Sequence, residues 1–127
     1  MKAGRLLVVD DNPTNLKLVS DVLTFGGFEV RRAVDAQSAQ EAIAASCPDL
    51  ILMDIALPDM DGLSLTRQLK AEPATQHVLV IALTAFAMKG DEARARAAGC
   101  DGYITKPIDT RGLCGLIHEH LRATTRR

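Results

Sequence analysis

Five short apolar runs recur along the chain, each followed by a stretch whose apolar residues are spaced for a helix, and this alternation leaves few architectures open. The runs are Arg5–Val9, Glu29–Ala33, Leu50–Met53, Val78–Leu83 and Gly102–Thr105. Leu-Ile-Leu-Met and Val-Leu-Val-Ile-Ala-Leu have no polar face, as befits strands covered on both sides. Strands that alternate with helices pair in parallel through crossover connections. The expected fold is therefore α/β, a doubly wound five-stranded parallel sheet. The second run, Glu-Val-Arg-Arg-Ala, is polar enough for a sheet edge.

Local punctuation agrees. Asn12 followed by Pro13 offers a capping side chain and a proline at the first helical position, and Gly26-Gly27 ends that helix after Leu16, Val19 and Leu23. A second helix is expected over Ala36–Ser46, a third from Gly62 fading at Pro73, and a fourth over Lys89–Ala98, ending at Gly99. The last begins near Asp109, where Leu113, Leu116, Ile117 and Leu121 form a stripe to pack on the sheet. No linker or repeat breaks the alternation, so residues 1–127 are expected to form a single domain, with an ordered core over 4–122 and a basic tail over 123–127.

A chain of 127 residues encloses one sizeable core and leaves no room for a second folded output domain. With 15 Lys and Arg against 16 Asp and Glu, the formal net charge of −1 gives no electrostatic reason for direct nucleic-acid or anionic-membrane binding. Cys47, Cys100 and Cys114 lack zinc-site spacing and suit a reducing, cytoplasmic setting. No apolar run approaches the ~18 residues of a membrane span, so no insertion is expected.

A parallel sheet presents its strand C-termini on one rim, with loops gathering where strand order reverses. Asp10 and Asp11 end the first run, Asp54 the third, Thr84 closes the fourth, and Lys106 follows the fifth. Carboxylates brought together there repel unless a cation neutralises them, and oxygen-only donors suit Mg²⁺. The plain alternative is a pair of helix-capping acids plus an unrelated loop acid; the matched strand-end positions weigh against it. Asp54 stands where a buried strand opens into a loop, a rigid base for a nucleophile. A carboxylate attacks phosphorus to form an aspartyl phosphate when a metal withdraws charge from the transferring group. Lys106 supplies a point charge, and the Thr84 hydroxyl with the backbone N–H groups after it supplies hydrogen bonds to phosphoryl oxygens. Taken singly, Lys106 reads as a surface lysine and Thr84 as a strand-end residue. A cis bond at Lys106-Pro107 would turn the chain sharply and aim the lysine inward.

Leu-Leu-Val-Val-Asp-Asp-Asn, Asp-Leu-Ile-Leu-Met-Asp with Leu-Pro-Asp-Met-Asp-Gly, Ala-Leu-Thr-Ala and Tyr-Ile-Thr-Lys-Pro, in this order and spacing, resemble the response-regulator receiver family over nearly the whole chain. The stretch from Thr84 to Glu92 further resembles stand-alone receivers of the DivK type and receivers of hybrid histidine kinases. The resemblance implies a CheY-like, flavodoxin-like (βα)5 fold with strand order 2-1-3-4-5. It implies Asp54 as phosphoacceptor, loaded by a histidine kinase or histidine phosphotransfer protein. Asp11 is implied as a direct Mg²⁺ ligand and Asp10 as one acting mainly through water, with the Ala56 carbonyl completing the set. Thr84 and the Ala85 N–H would hold phosphoryl oxygens with Lys106, and Tyr103 occupies the aromatic switch position. An isolated tyrosine near a strand end otherwise packs or lies on the surface. Signal would leave through the fourth helix, fifth strand and fifth helix to a downstream effector. Such a chain catalyses only its own phosphorylation and dephosphorylation.

Ala56 departs from many receivers, which carry a polar side chain there. A phosphatase resembling the haloacid dehalogenase group needs an acid two residues after its nucleophile, a role Ala56 cannot fill. A flavodoxin-like flavin binder would have its phosphate repelled by Asp10 and Asp11. A phosphate-independent adaptor remains the third alternative, against which stands the complete set of acids, threonine and lysine.

Overall fold

The computed structural model describes residues 4–84, 90–106 and 108–125. The apolar runs form strands β1 (Arg5–Val9), β2 (Glu29–Ala33), β3 (Leu50–Asp54), β4 (Leu79–Thr84) and β5 (Gly102–Thr105). Between them lie α1 (Pro13–Phe25), α2 (Ala36–Ala45), α3 (Gly62–Ala71) and α4 (Asp91–Ala97), and α5 (Thr110–Thr125) follows the last strand. Every strand pairing is parallel and the order is β2-β1-β3-β4-β5, the flavodoxin-like arrangement, with strand order reversing between β1 and β3.

Successive strand residues face opposite sides of a sheet, and here both sides are filled. Leu7, Val9, Ile51, Met53, Val80 and Ala82 join a core completed by α2, α3 and α4 through residues such as Ile43, Leu65 and Ala95. Leu6, Val8, Leu50, Leu52, Ile81 and Leu83 join a second core with Leu16, Val19 and Leu23 of α1 and Leu113 and Ile117 of α5. This explains the absence of a polar face in β3 and β4; each fully buried leucine contributes roughly 1.5–3 kcal/mol of transfer free energy. β2 lies at the edge, as its composition suggests, and exposes Glu29, Arg31 and Arg32. Charges on an open edge discourage pairing with another chain.

The α1 ends follow their signals. Asn12 Oδ1 accepts from the Thr14 and Asn15 N–H groups at 3.0 and 3.1 Å, and Pro13 opens the helix. Gly27 adopts φ 98°, letting the Phe28 N–H turn back to Leu23 O at 3.1 Å. Asp35 caps α2, accepting from the Ser38 N–H at 2.8 Å.

Boundaries differ from the sequence expectations by a few residues; α2 and α4 each end one residue early, at Ala45 and Ala97. β3 runs on to Asp54 and β4 spans Leu79–Thr84, each reaching one residue past its last apolar position. The ladder continues there because the Ile55 N–H donates to Leu83 O at 3.0 Å and the Lys106 N–H to Thr84 O at 2.7 Å. α3 stops at Ala71, short of Pro73. α5 runs to Thr125, three residues into the segment read as a tail, because Leu121-Arg-Ala favours helix and no breaker follows. The expected fourth-helix start, Lys89, and Pro107 of the Lys106-Pro107 bond lie outside the described residues.

At the rim opposite the strand C-termini, Asp101 precedes β5. Its Oδ2 accepts from the Lys70 ammonium and the Val80 N–H, both at 2.9 Å, while Lys70 also donates to Val78 O at 2.7 Å. Among the described residues no helix is long and apolar enough to cross a membrane.

Candidate functional site

β1 and β3 are neighbours at the point where strand order reverses, so Asp10, just past β1, and Asp54, ending β3, emerge side by side. The Lys106 ammonium lies between them, 2.9 Å from Asp54 Oδ2 and 3.0 Å from Asp10 Oδ2. All three are sequestered: the Asp10 and Asp54 side chains are 1% and 5% exposed and that of Lys106 14%. The other oxygen of each acid is tied to its own loop, Asp10 Oδ1 accepting from the Asn12 N–H and Asp54 Oδ1 from the Ala56 N–H, both at 2.9 Å. Each carboxylate thus has one oxygen on a backbone dipole and one on the shared cation.

Asp11 is exposed beside them, and one carboxylate oxygen of each of Asp10, Asp11 and Asp54 lies within 4.8 Å of the others. Three carboxylates against one ammonium leave an excess of negative charge in a largely buried setting. An all-oxygen donor set of this kind fits a hard divalent cation such as Mg²⁺.

Burial is the leading influence on Asp54 and raises its pKa above the usual carboxylate value, outweighing the Lys106 ammonium and the Ala56 N–H. For Lys106 burial works against the charged form, but the hydrogen bonds to Asp54 and Asp10 prevail and its pKa is raised. The lysine therefore stays protonated.

Thr84, 6% exposed, ends β4 one residue beyond Leu83, the register partner of Asp54. Tyr103 stands opposite Ala82 in β5 and packs, half-buried, against the core on the α2, α3 and α4 side. Thus Asp10, Asp11, Asp54 and Lys106 meet at one point, with Thr84 on the neighbouring strand and Tyr103 one strand further out. Ala85 lies outside the described residues.

Ala56 belongs to the loop of residues 55–61 between β3 and α3. The Gly62 N–H donates to Ile55 O at 2.8 Å, Ala56 pairs with Asp61 in an antiparallel bridge, and Asp61 Oδ1 caps α3 through the Leu63 N–H at 3.0 Å. Gly62 is required here, because a Cβ would overlap the Asp54 carbonyl oxygen and approach Ile55 Cα to 3.0 Å.

Two features went unread in the sequence. One is the direct Asp10–Lys106 contact. The other is Asp59, whose carboxylate accepts from the Ala36 N–H at 2.9 Å and the Gln37 N–H at 3.1 Å. The Ala36 N–H leads in holding its pKa below the ordinary value. An acid 23 positions from its donor gives no local signal; only the density of acids in Asp59-Met-Asp61 hints at more than a turn.

Comparison with known proteins converges on one group. The family described as "Response regulator receiver domain" matches residues 6–118. The chain is 43% identical over 116 residues to the polar-differentiation response regulator DivK of Brucella anthropi, covering 91% of this chain and 94% of that protein. Among solved structures, a CheY-like response regulator receiver domain protein from Methanospirillum hungatei superposes with a TM-score of 0.88 at 32% identity, covering 96% of both chains. The receiver domain of a signal transduction histidine kinase from Syntrophus aciditrophicus gives 0.85 at 31% identity, covering 98% of this chain and 93% of that one.

Proposed function

The chain belongs to the response regulator receiver domain family, the phosphorylation-controlled modules of two-component signalling, and from that premise we propose that Asp54 accepts a phosphoryl group and thereby switches binding of a downstream effector. The donor in this reading is a phosphohistidine of a histidine kinase or of a histidine phosphotransfer protein. Transfer breaks the donor's P–N bond and forms a P–O bond to the Asp54 carboxylate, leaving the histidine neutral once it takes up a proton. The observation that carries the reading is the buried Asp54 sharing the Lys106 ammonium with Asp10, at 2.9 and 3.0 Å, beside Asp11.

In this reading Asp10, Asp11 and Asp54, with the Ala56 carbonyl, would hold Mg²⁺, which when bound would supply charge neutralisation to the phosphoryl oxygens. The other steps belong to the chain's own groups. Esterification removes the negative charge of Asp54, so the Lys106 ammonium keeps Asp10 and turns to a phosphoryl oxygen. The raised pKa of Lys106 keeps its proton available for that contact. The Thr84 hydroxyl and the Ala85 N–H donate to the remaining oxygens, drawing the end of β4 inward, and Tyr103 fills the space released. Hydrogen bonds to charged groups contribute about 1.5–3 kcal/mol each, which bounds the population shift available to the face formed by α4, β5 and α5.

The same residues argue against rival chemistries. Ala56 cannot serve as the general acid of a phosphatase, and Asp10 and Asp11 would repel a flavin phosphate. The three free cysteines suit a reducing, cytoplasmic compartment, and the whole chain acts as one receiver module. The test is incubation with acetyl phosphate, with and without Mg²⁺, followed by intact-mass measurement. Wild type gains the mass of one phosphoryl group only with Mg²⁺, and Asp54→Asn gains none. Equal labelling of the variant, or none of wild type, would refute the assignment.

A further inference from the structure

The 55–61 loop follows Asp54 directly, and its geometry decides where the Ala56 carbonyl lies. At the near end it is fixed by the Ala56 N–H on Asp54 Oδ1, 2.9 Å, and by the Gly62 N–H on Ile55 O, 2.8 Å. Leu57 and Met60 rest partly buried on the core. The far end is fixed differently. Asp59 Oδ1 accepts from the Ala36 N–H at 2.9 Å and Oδ2 from the Gln37 N–H at 3.1 Å, which are the first two N–H groups of α2. Such groups have no acceptor inside a helix, and a carboxylate that takes two of them is held in both position and plane.

The α2 end is a firm anchor. Ala36, Ala39 and Ile43 are buried, and Asp35 caps the helix from within its own segment through the Ser38 N–H at 2.8 Å. Two acids therefore share one helix end with separate tasks. Asp35 completes the helix, and its bonds stay inside α2. Asp59, 23 residues further along the chain than the Ala36 N–H it accepts from, uses the same end as a fixed point for the 55–61 loop.

We propose that Asp59 is a positioning residue for the divalent-cation site: by tying the loop tip to α2 it presets the Ala56 carbonyl toward Asp10, Asp11 and Asp54. The inference rests on the cation reading of those acids given above. Its substance is that preorganisation lowers the ordering cost of binding, so loss of the tie appears as weaker cation affinity and a looser loop.

The experiment is calorimetric titration of MgCl₂ into wild type, Asp59→Ala, Asp59→Asn and Asp35→Ala, with amide exchange followed at Ile55 and Ala56 in the same proteins. Asp59→Ala is expected to bind Mg²⁺ on the order of fivefold more weakly, with faster exchange at both amides. Asp59→Asn, left with a single acceptor oxygen, shifts in the same direction and serves if the alanine variant does not fold. Asp35→Ala loses a cap of the same helix but leaves Mg²⁺ affinity unchanged. Wild-type affinity in both Asp59 variants, or an equal loss in Asp35→Ala, overturns the proposal and leaves Asp59 a helix cap. Failure of wild type to take up millimolar Mg²⁺ is a distinct result that sinks the cation reading itself and the proposal with it.

Discussion

Replacing Lys106 by methionine removes the one cation that, among the described residues, both buried acids touch directly, while keeping a side chain of similar length. At separations near 3 Å and an effective dielectric of ~20, each ammonium–carboxylate contact is worth about 5.5 kcal/mol before desolvation, whereas carboxylate oxygens no more than 4.8 Å apart repel by at least about 3.5 kcal/mol. Methionine abolishes the attractions and leaves the repulsion, along with the cost of keeping two acids dry. After relaxation, removal of one partner from a buried ion pair typically costs about 3–5 kcal/mol, and a loss near ~3 kcal/mol is expected here in the presence of chelator at neutral pH. The acid side follows from Asp54, whose pKa burial already raises and which loses its ammonium in the variant. Between the unfolded carboxyl value and the higher folded one, the native state binds the extra proton, so stability falls as pH rises through that window. The deficit of Lys106→Met should therefore shrink in mild acid, and again in millimolar Mg²⁺, where a cation returns to the acids. Urea denaturation followed by far-ultraviolet circular dichroism reads all three conditions. A variant as stable as wild type in chelator, or a deficit indifferent to both pH and Mg²⁺, would refute the electrostatic account.

Other changes probe neighbouring parts. Ala56→Asn places a polar side chain at the mouth of the site, and is expected to change the lifetime of the aspartyl phosphate while leaving Mg²⁺ affinity largely intact, because the backbone carbonyl is unaltered; identical lifetimes reject this. Gly62→Ala forces a methyl against the Asp54 carbonyl, with an expected loss of about 1–3 kcal/mol, as for other overpacked sites, and slower phosphorylation by acetyl phosphate. Asp59 has a depressed pKa, so its stabilising contribution is present above the unfolded value of ~3.9 and disappears as pH falls through the lower folded one. The stability difference between wild type and Asp59→Asn should accordingly close in strong acid, which denaturation at a series of pH values measures.

β1, β3 and β4 announce themselves because strands buried on both faces must be apolar throughout, and β2 because an exposed edge carries charge. The same reading stops short at Asp54 and Thr84: it ends each strand at the last apolar residue, whereas the ladder bonds Ile55 N to Leu83 O and Lys106 N to Thr84 O are indifferent to side-chain polarity. Parallel topology alone brings Asp10, Asp11, Asp54 and Lys106 to one rim, which made the acid cluster and its lysine legible before any coordinate. Asp59 was not legible. Its partners are backbone N–H groups of a helix for which Asp35 already supplies the local capping signal, and no side-chain type marks the backbone donors of a long-range tie.

β5 is short and lies at an edge, yet ammonium clasps grip it from both ends. Asp101, immediately before it, is held by Lys70 and the Val80 N–H; Lys106, immediately after it, is held by Asp54 and Asp10. A cord fastened at two points cannot slide along its length, though it can bow at the middle. The middle here is Tyr103 and Ile104, so a pull on the Lys106 knot is expected to flex those two side chains rather than to shift the register.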